Sequence, residues 1–217
     1  MMRLNFNPSG DKKLEILCLG AHSDDIEIGC GGTVLQLAAA HPGLQFHWVV
    51  FSAMGARGQE ARCGASLFTG HAASTVPVLK EFRDGFLPFA GPEVKEVFEE
   101  LKRTTSPDLI FTTSRRDAHQ DHRMLGEMAW NTFRDHLILE YEIPKYDGDL
   151  GQPSVFVPLE AEQYRKKVEF LMKAFPSQQA KRWFQPETFL GLMRLRGMEC
   201  NAPSGYAEAF YCRKLVL

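Results

Sequence analysis

The stretch from residue 16 to residue 33 constrains the fold of this chain more than any other. A short and mostly apolar run at 15–20 ends in a histidine and two carboxylates, and several glycines follow before a helix-like run at 34–40. Such a run is typical of a strand buried on both faces of a parallel sheet. Because ligands of open α/β sheets bind at the carboxyl ends of the strands, the stretch predicts a strand that leads into a reactive loop.

Two polar side chains in this loop suit a divalent metal ion, and a third suits a general base. His22 and Asp25 lie three residues apart, so one turn can aim both at the same point. Asp24 points elsewhere but stays within reach. One histidine and one carboxylate are suitable zinc ligands, and the spare carboxylate is a candidate general base.

A second polar cluster follows another predicted strand. Residues 108–113 form a short apolar run that opens onto the polar residues 114–122, and in them His119 and His122 are again three apart. Together with the first cluster, either histidine completes a catalytic zinc site with three protein ligands and one open position. Water bound at such a position becomes nucleophilic near neutral pH. The spacing does not choose between the two histidines.

These residues carry a family resemblance. Residues 21–32 read Ala-His-Ser-Asp-Asp-Ile-Glu-Ile-Gly-Cys-Gly-Gly and resemble the Ala-His-Pro-Asp-Asp-x-Glu-x-Gly-x-Gly-Gly signature of the PIG-L/LmbE family of zinc-dependent N-deacetylases. The run His-Gln-Asp-His at 119–122 is similar to the family's second motif, His-x-Asp-His. Looser similarities occur at 57–60, to Arg-x-x-Glu, and at 206–210, to Ala-Glu-Ala-Phe. Ser23 stands where proline is usual, which removes no ligand.

The resemblance implies a ligand set and a base. It assigns His22, Asp25 and His122 to one Zn²⁺ ion per chain, with another divalent metal as the alternative, and leaves His119 free. Asp24 is then expected to take a proton from the zinc-bound water as this water attacks the amide carbon. Zinc lowers the pKa of Asp24, whereas Asp25 and burial raise it, so the sequence leaves the direction of the net shift open.

Three further residues have expected roles. His119, held by Asp121, is expected to lie beside the developing oxyanion, although Asp121 is equally placed to cap the helix that begins there. Whether His119 or protonated Asp24 delivers the proton to the leaving amine is open. Arg57 follows a predicted strand on the same rim, where it is expected either to bind substrate or to pair with an acidic residue.

The resemblance alone suggests the substrate, an N-acetylglucosamine-like sugar or sugar conjugate. Two alternatives are a zinc amidase for another acyl amide, such as a thiol-sugar conjugate or an acylated antibiotic, and a metal-bound sugar-binding protein without turnover. A dinucleotide-binding enzyme is disfavoured, because the glycines at 29–32 are not spaced as G-x-G-x-x-G and no acid for a ribose occurs at 50–52.

Alternating strand and helix patterns predict the fold class. They favour an α/β fold with a Rossmann-like, mostly parallel sheet and helices on both faces. We expect a single domain over 1–217, with residues 1–12 as a flexible tail. The glycines are expected to precede the first helix, which would start near residue 31. A helix at 121–135 follows the second motif, and a buried strand near residues 210 and 211 is the last element.

Composition excludes several classes of protein. Lysine and arginine total 25 against 27 acidic residues, and no basic stripe favours nucleic acid as a partner. The 5 cysteines are odd in number and form no Cys-x-x-Cys pair, which argues against disulfides and thiolate zinc and favours a reducing cytoplasm. Neither a signal peptide nor an integral membrane segment is expected. The expected partner is a small-molecule N-acetyl sugar, and a homo-oligomer stays open.

Overall fold

The computed structural model describes residues 13–41, 43–70 and 76–216. The expected flexible tail at 1–12 lies outside these residues. The strands are β1 (Glu15–His22), β2 (Gln45–Ser52), β3 (Val78–Leu79), β4 (Leu109–Thr113), β5 (Leu137–Tyr141), β6 (Val155–Pro158) and β7 (Ala207–Cys212). The α-helices are α1 (Asp25–Ala40), α2 (Ala56–Thr69), α3 (Gly91–Thr104), α4 (Gln120–Thr132), α5 (Ala161–Ala174) and α6 (Pro186–Glu199).

The strands form one sheet in the order β3-β2-β1-β4-β5-β7-β6. Strands β1 to β5 are parallel, and β7 runs antiparallel to both of its neighbours. The predicted α/β class with a mostly parallel sheet is therefore confirmed. Strands β1 and β4 are neighbours, although the chain leaves β1 toward β2 on the other side. This switch point is where open α/β sheets bind their ligands, and both polar clusters follow these two strands.

Strand β1 separates two hydrophobic cores. Ile16 and Cys18 face one core, which packs under α1, α2 and α5. Leu17 and Leu19 face the other core, which packs under α3 and α4. All four side chains are fully buried. A strand that loses water on both faces is held rigidly, so the loop that follows it starts from a fixed point.

Helix α1 starts earlier than the sequence predicts. It begins at Asp25, so the glycines lie inside the helix rather than before it. A Cβ added to Gly29 would lie 2.1 Å from Tyr141, and one added to Gly31 would lie 2.4 Å from Phe68. Close packing against these rings requires glycine, which overrides its low helix propensity.

No membrane-spanning helix occurs within residues 13–41, 43–70 and 76–216, because every helix there is too short or too polar to cross a bilayer.

Candidate metal centre

The two polar clusters converge at the carboxyl edge of the sheet. His22 ends β1 and Asp25 begins α1, so the tight turn between strand and helix carries both side chains. His122 lies in the first turn of α4, which follows β4. The backbone N–H of His22 donates to Asp25 Oδ2 over 2.8 Å, and this bond fixes the turn.

Three donor atoms form a compact triangle. His22 Nδ1 lies 3.1 Å from His122 Nε2. Asp25 Oδ2 lies 3.5 Å from His22 Nδ1 and 3.4 Å from His122 Nε2. Ligands bound at zinc distances in a tetrahedral site are about 3.3 to 3.6 Å apart. The triangle therefore fits a tetrahedral metal ion that is bound by three protein ligands.

The charges in this triangle compensate one another. Burial is the largest single influence and would lower the pKa values of the two histidines, but the surrounding carboxylates together outweigh it. Asp25, Asp121 and Asp84 raise the pKa of His22 well above its usual range, and Asp25 and Asp117 raise that of His122 to about 9. Burial would raise the pKa of Asp25, yet His122 and His22 hold it well below its usual range. The centre thus favours positive charge between its three side chains, which a divalent cation supplies.

Asp117 orients His122, and sequence reasoning missed it. Its Oδ2 lies 2.9 Å from His122 Nδ1, on the opposite side of the ring from the triangle. Lys145 contacts its other oxygen at 2.9 Å. A carboxylate on the far nitrogen of a metal-ligating histidine is the usual arrangement. The signal that could have revealed it is an aspartate in the polar loop between β4 and the two histidines.

The carboxylate of Asp121 contacts a different histidine from the one predicted. Its carboxylate lies 3.2 Å from His22 Nε2 and accepts N–H groups from Gly85 and Leu87 at 2.7 and 3.1 Å. Asp121 contacts His119 through its backbone N–H instead, which donates to His119 Nδ1 over 3.2 Å. The alternative, in which Asp121 caps α4, is wrong, since the capping residue is His119.

His119 completes a group of three imidazoles. Its ring centroid lies 4.9 Å from that of His22 and 4.8 Å from that of His122. Its Nδ1 accepts the Asp121 backbone N–H over 3.2 Å, so the neutral ring carries its proton on Nε2. Burial and then the neighbouring His122 lower its pKa, which favours this neutral form.

Two other sets of donors lie near the triangle. One combines His119 with His22 and His122, and the other combines Asp84 and Asp121 with His22; within each set the donor atoms lie within 4.8 Å of one another. In the first, His119 already accepts a backbone hydrogen bond through Nδ1. In the second, the oxygens of Asp121 already accept two backbone N–H groups, and the Asp84 side chain is 79% exposed. The triangle with Asp25 has all three of its donor-to-donor distances at 3.1 to 3.5 Å, close to those of a tetrahedral zinc site, and it is the set that we assign to a resident ion.

Asp24 lies beside the triangle and is paired with Arg57. Arg57 Nη2 lies 2.5 Å from Asp24 Oδ1, and its Nη1 donates to Glu60 over 2.6 Å. Of the two roles expected for Arg57, the structure shows pairing with acidic residues. Burial raises the pKa of Asp24, although Arg57 opposes this shift. The carboxylate is thus a stronger base than an exposed aspartate.

Glu27 is buried, and neither of its oxygens has a hydrogen-bond partner among the described residues. Burial raises its pKa well above the usual range, which favours the protonated, neutral form.

Residues 17–133 match the sequence profile of the PIG-L family, which is described as GlcNAc-PI de-N-acetylase. The match spans more than half of the chain, and the chain belongs to this family. It is also similar to the "uncharacterized deacetylase YaiS" of Escherichia coli (strain K12), with 26% identity over 76% of this chain and 92% of the relative. The family and this relative indicate a deacetylase of the PIG-L type, and the deacetylases of this family are metal-dependent.

Solved structures share the fold. The N,N'-diacetylchitobiose deacetylase of Pyrococcus horikoshii superimposes with a TM-score of 0.74 at 20% identity, covering 92% of this chain and 83% of that one. The conserved protein TT1542 of Thermus thermophilus does so with a TM-score of 0.75 at 21% identity, covering 94% and 96%. GalB of Pseudomonas putida KT2440, a 4-carboxy-2-hydroxymuconate hydratase, gives 0.71 at 16% identity, covering 94% and 98%. The fold alone therefore does not name the reaction.

Proposed function

We propose that this protein is a zinc-dependent N-deacetylase that removes the acetyl group from the 2-acetamido nitrogen of an N-acetylglucosamine-like sugar or sugar conjugate. The observation that carries the proposal is the triangle of Nδ1, Oδ2 and Nε2 atoms, with edges of 3.1 to 3.5 Å. The description of the family and the similarity to the N,N'-diacetylchitobiose deacetylase of Pyrococcus horikoshii support the sugar as substrate.

His22, Asp25 and His122 would hold the ion. Two imidazoles and one carboxylate match the ligand sets of catalytic zinc. When bound, zinc would supply a Lewis acid and would lower the pKa of a coordinated water molecule. Asp117 and Asp121 keep the two imidazoles in place, since each carboxylate contacts the ring nitrogen that faces away from the triangle.

Asp24 is the proposed general base. Its carboxylate accepts a proton from the water that attacks the amide carbon, and the raised pKa brings its basicity closer to neutral pH. Arg57 fixes one carboxylate oxygen, so the other oxygen is presented in a constant position. We propose that the exposed part of Arg57 also contacts the substrate.

His119 is the proposed donor to the oxygen on which negative charge develops. Its Nε2 carries the proton in the neutral ring and lies on the side away from the helix cap. The leaving amine takes its proton from His119 or from protonated Asp24. In the variant His119→Ala only protonated Asp24 is left to supply this proton, so the variant distinguishes the two routes.

Acetate release tests the proposal. The zinc-loaded protein is incubated with N-acetylglucosamine, diacetylchitobiose and larger N-acetylglucosaminyl conjugates. Asp24→Asn is expected to keep zinc but to turn over about a hundredfold or more slowly, because a general base typically accelerates such a reaction by at least that factor. Asp135→Asn, at an exposed position, serves as the matched control. Equal turnover in Asp24→Asn would refute the base assignment.

The same assay separates the other interpretations of the site. Longer acyl amides, including an acylated antibiotic, are compared with acetyl sugars at equal concentration. Faster release of a long acyl chain would replace the proposed substrate with another amide. Binding of the sugars without any acetate release would favour a protein that binds sugars without turnover.

A further inference from the structure

A cleft lies beside the loop that leads from β4 to the metal centre. Its volume is about 450 Å³, and its lining includes Arg115, Arg116 and Arg213. Ser154 also lines it, and so does Tyr211, whose hydroxyl already donates to Glu142 Oε1 over 3.1 Å. Three guanidinium groups in one cleft are unusual for a chain whose formal net charge is -2. The cleft is therefore a local concentration of positive charge.

The carboxylate of Glu140, which also lines the cleft, is already occupied. One oxygen accepts Arg115 Nε over 2.8 Å and Trp130 Nε1 over 2.5 Å. The other oxygen accepts the Arg115 backbone N–H over 3.1 Å and Ser114 Oγ over 3.3 Å. Glu140 is 3% exposed and neutralises a single arginine. Its charge does not offset the remaining cations.

Two of these arginines and one further cation, Lys214, lie around the ring of Trp130. The guanidinium carbons of Arg115 and Arg213 lie 4.8 and 5.5 Å from the ring centroid, and Lys214 Nζ lies 5.5 Å from it. These contacts hold the cations close together in spite of their mutual repulsion. Over the described residues, no carboxylate forms an ion pair with Arg213, Lys214 or Arg116. An anion entering the cleft would relieve this repulsion.

We propose that this cleft binds a phosphate group, carried by inorganic phosphate or by a small phosphate ester. Guanidinium groups present planar forks that match phosphate oxygens in pairs, and a hydroxyl group adds a neutral donor. Arg116 and Arg213 are exposed, so their side chains are free to close on the anion. The site is distinct from the proposed deacetylase centre and does not depend on that assignment.

The indole N–H of Trp130 gives a local readout. The chain has 3 tryptophans, so an ¹⁵N–¹H spectrum of the full-length protein shows their indole signals separately. Inorganic phosphate is titrated at constant ionic strength, with chloride as the control anion. We expect the Trp130 signal to shift and saturate with phosphate, because the anion would bind beside Arg115 and Arg213, while the signal of buried Trp48 stays in place.

Paired variants test whether the cleft is responsible. Arg116→Gln combined with Arg213→Gln is expected to weaken phosphate binding about tenfold or more, since a hydrogen bond to a charged group is worth at least that factor. Arg103→Gln, an exposed arginine on α3, is the matched control and should bind as the unmodified protein does. Phosphate bound at the metal centre would persist in the double variant.

A second titration with glucose 6-phosphate separates the two sources of the group. Tighter binding of the ester indicates that the cleft takes a sugar phosphate, and equal binding indicates free phosphate. The proposal is overturned if the Trp130 signal does not shift, if chloride shifts it equally, or if the double variant binds phosphate unchanged.

Discussion

Replacing Glu208 is expected to destabilise the protein strongly. This side chain reaches from β7 to α1, where Oε1 accepts the Gly32 N–H over 2.8 Å and Oε2 accepts the Thr33 N–H over 2.7 Å. Thr33 Oγ1 adds a third donor at 2.6 Å and Lys167 Nζ a fourth at 2.6 Å. Both charged residues are 3% exposed, so this is a buried ion pair inserted beside a helix.

Substituting Glu208 and substituting Lys167 leave different groups without their partner. Glu208→Ala strands the Lys167 ammonium with a single remaining partner, the Ile28 carbonyl at 2.5 Å. Breaking a buried pair in this way costs about 3 to 5 kcal/mol. Lys167→Met leaves the carboxylate with three donors from α1. We therefore expect a clearly smaller loss for Lys167→Met than for Glu208→Ala.

Chemical denaturation measures these free energies of unfolding. The midpoint and slope of each urea curve are compared with those of the unmodified protein. Glu162→Gln removes one partner of the exposed pair with Lys166 and is the matched control, for which no measurable loss is expected. A loss below about 1 kcal/mol for Glu208→Ala, or a larger loss for Lys167→Met, would contradict the reasoning.

Two further predictions concern the metal centre and α1. Asp117→Asn, which weakens the support of His122, should lower zinc affinity about 10- to 100-fold in a competition with a chromophoric chelator, and unchanged affinity would contradict the role of this carboxylate. Gly29→Ala should cost about 1 to 3 kcal/mol in thermal unfolding, because its Cβ would lie 2.1 Å from Tyr141. In contrast, a Cβ added to Gly191 in α6 would have no heavy atom within 4 Å, so Gly191→Ala should leave the stability unchanged or raise it.

Local sequence signals predicted much of the fold. Short apolar runs and periodic helices predicted the order of the elements, and the strand predicted within residues 108–113 matches β4 (Leu109–Thr113). They also placed His22 and His122 at the same sheet edge, because the carboxyl ends of parallel strands meet there. Spacing within each motif is a local property, so it can be read without knowing the rest of the chain.

Partners from distant parts of the chain were not predictable in this way. Glu208 contacts residues of α1 that lie 175 and 176 positions earlier, and nothing near Glu208 in sequence indicates that contact. The site shows the same limit, since the Asp121 carboxylate contacts His22, 99 residues away.

The sequence by itself thus determined the class of fold, the family and the two motif-bearing loops, because each depends on local pattern. Only the tertiary structure decided which nitrogen each carboxylate contacts, why glycines lie inside α1, and where arginines gather into a cleft. These features depend on close approach between elements, and that approach is set by packing of the whole core.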